Sequence, residues 1–164
     1  MQSSATGLAI RGVELADAAA LWDIRTRAIR ELCAGHYPEA VLEPWARTPM
    51  PSRFGEVLVL QRAVVVEEGE QAIAFGFLDR DDGEVAAVYV RPDVARRGVG
   101  RALLARLEAD AVASGLAQLR LASSLNAVGF YRAAGYVGEH RDTFRHPGGF
   151  DLPCVRMSKQ LWTR

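Results

Sequence analysis

The most constraining stretch of the chain is residues 84–104, EVAAVYVRPDVARRGVGRALL. Residues 84–90 are rich in valine, carry one tyrosine and have the length of a buried strand. Pro92 closes that strand. Beyond it Gly98 and Gly100 flank Val99, and Val99, Leu103, Leu107 and Ala111 recur at helical spacing, with Leu104 widening the apolar stripe. A helix therefore starts at the glycines. Its first turn carries unpaired N–H groups and the positive end of the helix dipole, which suits an anion. The glycines remove Cβ atoms from the approach to those N–H groups, and Arg96, Arg97 and Arg101 surround them with positive charge. The pattern predicts a diphosphate cradle. Two better-known phosphate loops do not fit it. A Rossmann loop needs a third glycine near Leu103, and a Walker A loop needs Gly-Lys-Ser/Thr where this chain has Gly100, Arg101 and Ala102.

A second block, NAVGFYRAAGY at residues 126–136, lies one helix and one strand further on. Together the two blocks resemble the GNAT superfamily of N-acetyltransferases. The family's loop, Gln/Arg-x-x-Gly-x-Gly/Ala after a strand, falls on Ala95, Arg96, Arg97, Gly98, Val99 and Gly100, and Ala95 departs from it. Its later motif, Asn-x-x-x-Phe-Tyr-x-x-x-Gly-Phe/Tyr, is matched by Asn126, Phe130, Tyr131, Gly135 and Tyr136. The likeness rests on motifs in the second half of the chain and on element order in the first.

The resemblance implies an α/β sandwich with a central mixed, mostly antiparallel sheet flanked by helices. It also implies acetyl-CoA as cosubstrate, with the pantetheine arm entering where two parallel strands splay, beside Val88, Tyr89 and Val90. The diphosphate would rest on residues 96–101, that is Arg96, Arg97, Gly98, Val99, Gly100 and Arg101. Asn126 would cap its helix, bond pantetheine, or do both. Tyr131 is the candidate acid, because a phenol of ordinary pKa about 10 stays protonated at neutral pH and can donate to a departing thiolate. Glu84 is the best-placed carboxylate for a base, with Tyr89 or a water chain as alternatives. Trp22, His36, Tyr37, Trp45, Phe144 and Phe150 are candidate walls for the acceptor, although aromatic residues of this kind also build cores.

In order, the chain reads as a strand at 8–14, a helix capped by Asp17 and running to about Cys33, a short helix at 39–47 and an ambiguous segment at 57–60. Three strands follow at 63–67, 72–78 and 84–90, joined by Gly69 and Gly83 turns. After the cradle helix come a short strand at 119–122, a helix at 126–134, and a final strand pair at 136–141 and 152–159.

The length of 164 residues and 49% hydrophobic content suit one domain with a sizeable core. A net charge of zero gives no drive onto nucleic acid or anionic membrane. Cys33 and Cys154 form no framework, and His36, His140 and His146 show no ligand spacing, so no metal is expected. The start, MQSSATGLAI, lacks the features of an export leader, and a cytoplasmic location is expected. The leading reading is transfer of an acetyl group to a primary amine of a small molecule or peptide, by a protein for which a homodimer stays open. The competing readings are a catalytically inactive acyl-CoA-binding regulatory domain and, more weakly, a nucleic-acid module.

Overall fold

A computed structural model describes residues 7–162. β1 (Ala9–Gly12) is followed by α1 (Ala18–Leu32), α2 (Glu39–Ala46) and α3 (Phe54–Leu60). The meander β2 (Val64–Glu68), β3 (Gln71–Asp79) and β4 (Glu84–Val90) comes next. α4 (Val99–Ala113) crosses to β5 (Gln118–Ser123), and α5 (Val128–Ala133) leads into the hairpin of β6 (Val137–Arg145) and β7 (Asp151–Gln160). The strands make one sheet in the order β1-β2-β3-β4-β5-β7-β6, in which only β4 and β5 run parallel. This is the mixed, mostly antiparallel sheet expected, with helices on both faces.

The two faces have separate cores. On one, the α4 stripe of Val99, Leu103, Leu104, Leu107 and Ala111 is buried against Val64, Ile73, Val85, Leu119, Leu121 and Met157. Each buried leucine there contributes about 1.5–3 kcal/mol, so the stripe fixes the cradle helix to the sheet. On the other face α1 and α3 cover Val65 and Phe75, while the α1–α2 cluster reaches Leu152 on β7.

Four departures from the sequence reading have local causes. The ambiguous segment is α3, because Leu58 is fully buried beside Val65 and Phe75 while Val57, Val59 and Leu60 stay exposed. Asp17 precedes α1 but does not cap it with its side chain. Its carboxylate accepts the Glu14 N–H at 2.7 Å and the Arg11 guanidinium at 2.8 and 2.9 Å, and this pairing holds it below the usual carboxylate range. The hairpin strands are longer than expected, β6 being exposed at all nine positions and so carrying no apolar alternation. Finally, α5 starts two residues after Asn126. Residues 1–6, on which part of the leader reading fell, lie outside the described residues. No helix among the described residues is long and apolar enough to cross a membrane.

α3 ends in a left-handed turn at Arg62, φ +56°, with the Ala63 N–H bonded to the Leu58 carbonyl at 2.8 Å. Glycine is the common residue there. A left-handed L-residue costs roughly 1–2 kcal/mol, while glycine adds roughly 0.5–1 kcal/mol of unfolded-chain entropy. Arg62→Gly is therefore expected to raise the unfolding free energy by about 0.5 kcal/mol in urea titration. A lower midpoint would show that the arginine side chain holds the turn.

Candidate active site

β4 is the fourth of seven strands, yet Ala87, Val88, Tyr89 and Val90 are only half-buried. The cause is a splay. β4 pairs with β3 at six positions, but with β5 only at Glu84 and Arg120, where the Arg120 N–H donates to the Gly83 carbonyl at 3.0 Å. β5 instead follows β7 through six pairs, from Gln118 to Ser123. The β5-facing edge of β4 is left with unpaired amide groups, which an extended, amide-bearing ligand could complete as a strand would.

A β-bulge refines this edge. Phe77 lies opposite Ala87 and Leu78 opposite Val85, so Ala86 is an extra residue in β4. The insertion inverts the side-chain alternation. Val85, and then Val88 and Val90, all pack on the α4 side, whereas Tyr89 packs with the α1 and α2 clusters. Glu84 precedes Val85 and so points to the α1 side, which also carries Arg120, Ala122 and Arg156 and is exposed over β5.

At the far end of β4 the chain enters the cradle. Gly98 is the N-cap residue of α4 with φ +82°, makes no side-chain cap, and is followed by no acidic residue in the first turn. A Cβ added to Gly98 would meet nothing within 4 Å, so this glycine is required by its backbone conformation and opens onto free space. Gly100 differs. Its Cβ would sit 3.3 Å from Val90 and 3.4 Å from Phe130, so it permits close packing of α4, β4 and α5 rather than ligand approach. Arg96 is also left-handed, at φ +64°. Such strain in a non-glycine residue is concentrated at ligand clamps and switches. Arg97 is tied to Glu68 at 2.8 Å, whereas Arg96 and Arg101 are exposed and make no ion pair with another described residue. The side chain of Val99 is buried, leaving only its backbone for a ligand.

α5 brings Tyr131 to the same region. Its ring packs edge-on against Phe130 at 5.0 Å and Tyr136 at 5.7 Å. Burial raises the phenol above its ordinary value, and nearby Tyr89 adds to the effect. The Tyr131 hydroxyl makes no hydrogen bond to a described residue and yet is not sealed, since Tyr136 Oη alone among the described side-chain polar atoms is both sealed from solvent and unpartnered. Asn126 does not cap α5, whose N-cap is Ala127. Its Oδ1 accepts a hydrogen bond from Cys33 Sγ at 3.3 Å, and the Tyr37 hydroxyl accepts the Leu125 N–H while donating to the Pro153 carbonyl at 2.7 Å. The loop after β5 is thereby pinned to α1 and β7.

The orphaned Tyr136 hydroxyl has its own consequence. Leaving a buried hydroxyl unpaired costs about 1–3 kcal/mol. Tyr136→Phe is expected to raise the melting temperature by a few degrees. A fall would show that the hydroxyl is partnered, for instance by an internal water.

Glu84 lies at the closed end of the splay, half-exposed, its carboxylate 3.9 Å from the Arg156 guanidinium. Of the candidate walls, Tyr37 and Trp45 are buried in the α1–α2 cluster, Trp22 stacks edge-on with Phe54, and His36 is exposed. Phe150 stacks on His146 at 4.3 Å and packs on the α1–α2 cluster, which folds the hairpin tip over α1, while Phe144 is exposed on β6. Two further residues at this face were not anticipated. Arg25 is a charge on the apolar stripe of α1, between Leu21 and Ala28, and that position is its signal in the sequence. His146, alone in its loop, gives none.

The sequence profile of the acetyltransferase (GNAT) domain matches residues 45–161, more than two thirds of the chain. The chain belongs to the GNAT acetyltransferase family. This GNAT protein is similar over 93% of its length to 95% of a GCN5-related N-acetyltransferase from Rhodopseudomonas palustris, with 30% identity and a TM-score of 0.87. It shares its fold with PaiA N-acetyltransferase of Thermoplasma acidophilum, solved with coenzyme A (20% identity, 94% of this chain and 99% of that one, TM-score 0.68). It also shares the fold of YncA of Salmonella typhimurium, solved with its cofactor acetyl-CoA (21% identity, 96% of each chain, TM-score 0.66). Comparison with curated proteins gave no match. Among the described residues of this GNAT enzyme, no cluster of three metal-ligating side chains occurs.

Proposed function

We propose that the chain works as one N-acetyltransferase domain that moves an acetyl group from acetyl-CoA directly to a primary amine of a small molecule or peptide. The observation that carries this reading is the coincidence of the β4–β5 splay with the uncapped, glycine-led N-terminus of α4 at the end of the same strand. The two features fit the two halves of one ligand, an amide-bearing arm and a diphosphate.

Acetyl-CoA supplies the thioester: the amine nitrogen bonds to its carbonyl carbon, the carbon–sulfur bond breaks, and the coenzyme leaves as a thiolate with the electron pair of that bond. The free edge of β4 around Val88, Tyr89 and Val90 offers N–H groups to the carbonyl oxygen as it gains charge. Glu84, on the α1 side and loosely paired, takes the proton that the attacking nitrogen must lose, directly or through water. Tyr89 does not fill that role, because burial keeps its phenol protonated. Tyr131 presents its O–H to the departing sulfur. Full transfer to a thiolate of ordinary pKa about 8.5 is uphill from a raised phenol, so the hydroxyl acts chiefly by hydrogen bonding while solvent completes protonation. Neither cysteine suits an acyl-enzyme route, since burial pushes the Cys33 thiol up to about 12 and raises Cys154 as well.

Thiol release with a panel of primary amines, with the acetylated product identified by mass, tests the proposal. Thiol release matched by acetylamide supports it, and coenzyme binding without turnover of any amine favours the regulatory reading. The pH profile gives a second test. Only the neutral amine attacks, so kcat/KM should climb with pH to the acceptor's own pKa. Because the Tyr131 phenol is held above about 10, it should add no falling limb below that pH. A decline between pH 8 and 10 in kcat would contradict its role.

A further inference from the structure

Arg25 is 5% exposed, and no carboxylate of a described residue lies within ion-pair distance of it. Buried charges are ordinarily neutralised by a partner. What surrounds this one is neutral. Its terminal nitrogens donate to the carbonyls of Trp45 at 2.7 Å and Ala46 at 3.3 Å, the last residues of α2, and its guanidinium lies 4.3 Å from the centre of the Trp22 ring. The negative end of α2 and the ring face explain why the charge is tolerated. They engage two of its five N–H donors. The Nε makes no hydrogen bond and is not among the atoms sealed from solvent, so this edge of the guanidinium keeps a free donor.

Two other elements bring polar groups to the same place. From β4 comes Tyr89, which packs in the cluster that holds Trp45, and from the hairpin tip comes His146, stacked at 4.3 Å on Phe150 of the same cluster; burial and then the Arg25 charge lower its titration. His146 Nδ1 accepts the Gly148 N–H at 2.9 Å, so the neutral ring carries its proton on Nε2 and can only donate. Trp22, Trp45 and Phe150 supply apolar surface. The assembly is rich in donors, holds one permanent positive charge, and contains no anion. Tyr89 connects it to the strand at whose edge the thioester is placed.

We propose that Arg25, with Tyr89 and His146 beside it, binds a carboxylate on the acceptor, so that the amine acetylated here is a small amino carboxylate, held by its carboxylate end. The proposal rests on the N-acetyltransferase reading above. It disfavours diamines, whose second ammonium would face a buried guanidinium.

The test uses the wild-type protein, acetyl-CoA and three matched series: ω-amino carboxylates of increasing length, their primary carboxamides, and diamines of equal length. The longer ω-amino acids and their amides have nearly the same amine basicity, so differences in kcat/KM report the far end. The expected result is a carboxylate preferred over its carboxamide by at least tenfold in KM at the best length, with the diamine poorest. In Arg25→Met that ratio should fall towards one, and in Arg25→Lys it should lie between, since the charge stays and the fork is lost. Should Arg25→Met not fold, the wild-type series decides alone. Equal use of carboxylate and carboxamide, preference for the diamine, or turnover confined to amines lacking a carboxylate would overturn the proposal and leave the transferase intact. Absence of acetyl-CoA binding would instead overturn the underlying reading.

Discussion

Gly98→Glu is expected to abolish measurable binding of coenzyme A, an affinity loss of at least a hundredfold, or about 2.7 kcal/mol. Two effects add. Position 98 needs φ +82°, which costs an L-residue roughly 1–2 kcal/mol. The introduced carboxylate would then project into the open space before the N–H groups of Val99 and Gly100, occupying with negative charge the seat of an anion. A companion Gly98→Asn separates the terms, because asparagine tolerates the left-handed conformation and brings no charge. It should keep most of the affinity and lose a little stability. Calorimetric titration reads both variants. Undiminished affinity in Gly98→Glu would show that the diphosphate does not rest on α4.

The second large effect is expected at Tyr131. Loss of one hydrogen-bond donor aimed at developing negative charge typically costs about 10²–10³-fold, and Tyr131→Phe should lose at least the lower figure in kcat while the acetyl-CoA dissociation constant stays within about twofold. The separation is predicted by the surroundings. The ring makes the packing contacts with Phe130 and Tyr136, which phenylalanine retains, and the hydroxyl has no partner among the described residues to orphan. Stability should therefore be unchanged. An unaltered kcat would show that solvent alone serves the departing sulfur, and a parallel loss of coenzyme affinity would make the hydroxyl a binding group.

The strand and helix around the glycine loop were legible because their signal is local. Glycines at 98 and 100, the apolar stripe from Val99 and the preceding valine-rich strand each encode a backbone conformation or a face, and β4 and α4 run where the pattern puts them. The same local reading gave Gly100 a reason it does not have. Its lack of a side chain answers to Val90 and Phe130, residues ten before and thirty after it, and no window of sequence contains all three. The Ala86 bulge escaped for a related reason: EVAAVYV reads as one apolar run with no alternation to interrupt, and only pairing with β3 shows that one residue is extra. Asn126 was read as a candidate cap, whereas α5 begins beyond it and Cys33, 93 positions earlier, takes its side chain. The proposed acceptor side was least legible, since Arg25, Tyr89 and His146 come from a helix, a central strand and a hairpin tip that are distant in sequence.

Whether the open edge of β4 and the N-terminus of α4 together hold acetyl-CoA is tested most directly by calorimetric titration of the wild-type chain with acetyl-CoA, and separately with a pantetheine thioester lacking the nucleotide. One site per chain is expected for acetyl-CoA, with markedly weaker binding of the truncated thioester, because the diphosphate interaction is lost. No heat from acetyl-CoA at millimolar concentration, or equal affinity for the two ligands, would contradict that expectation.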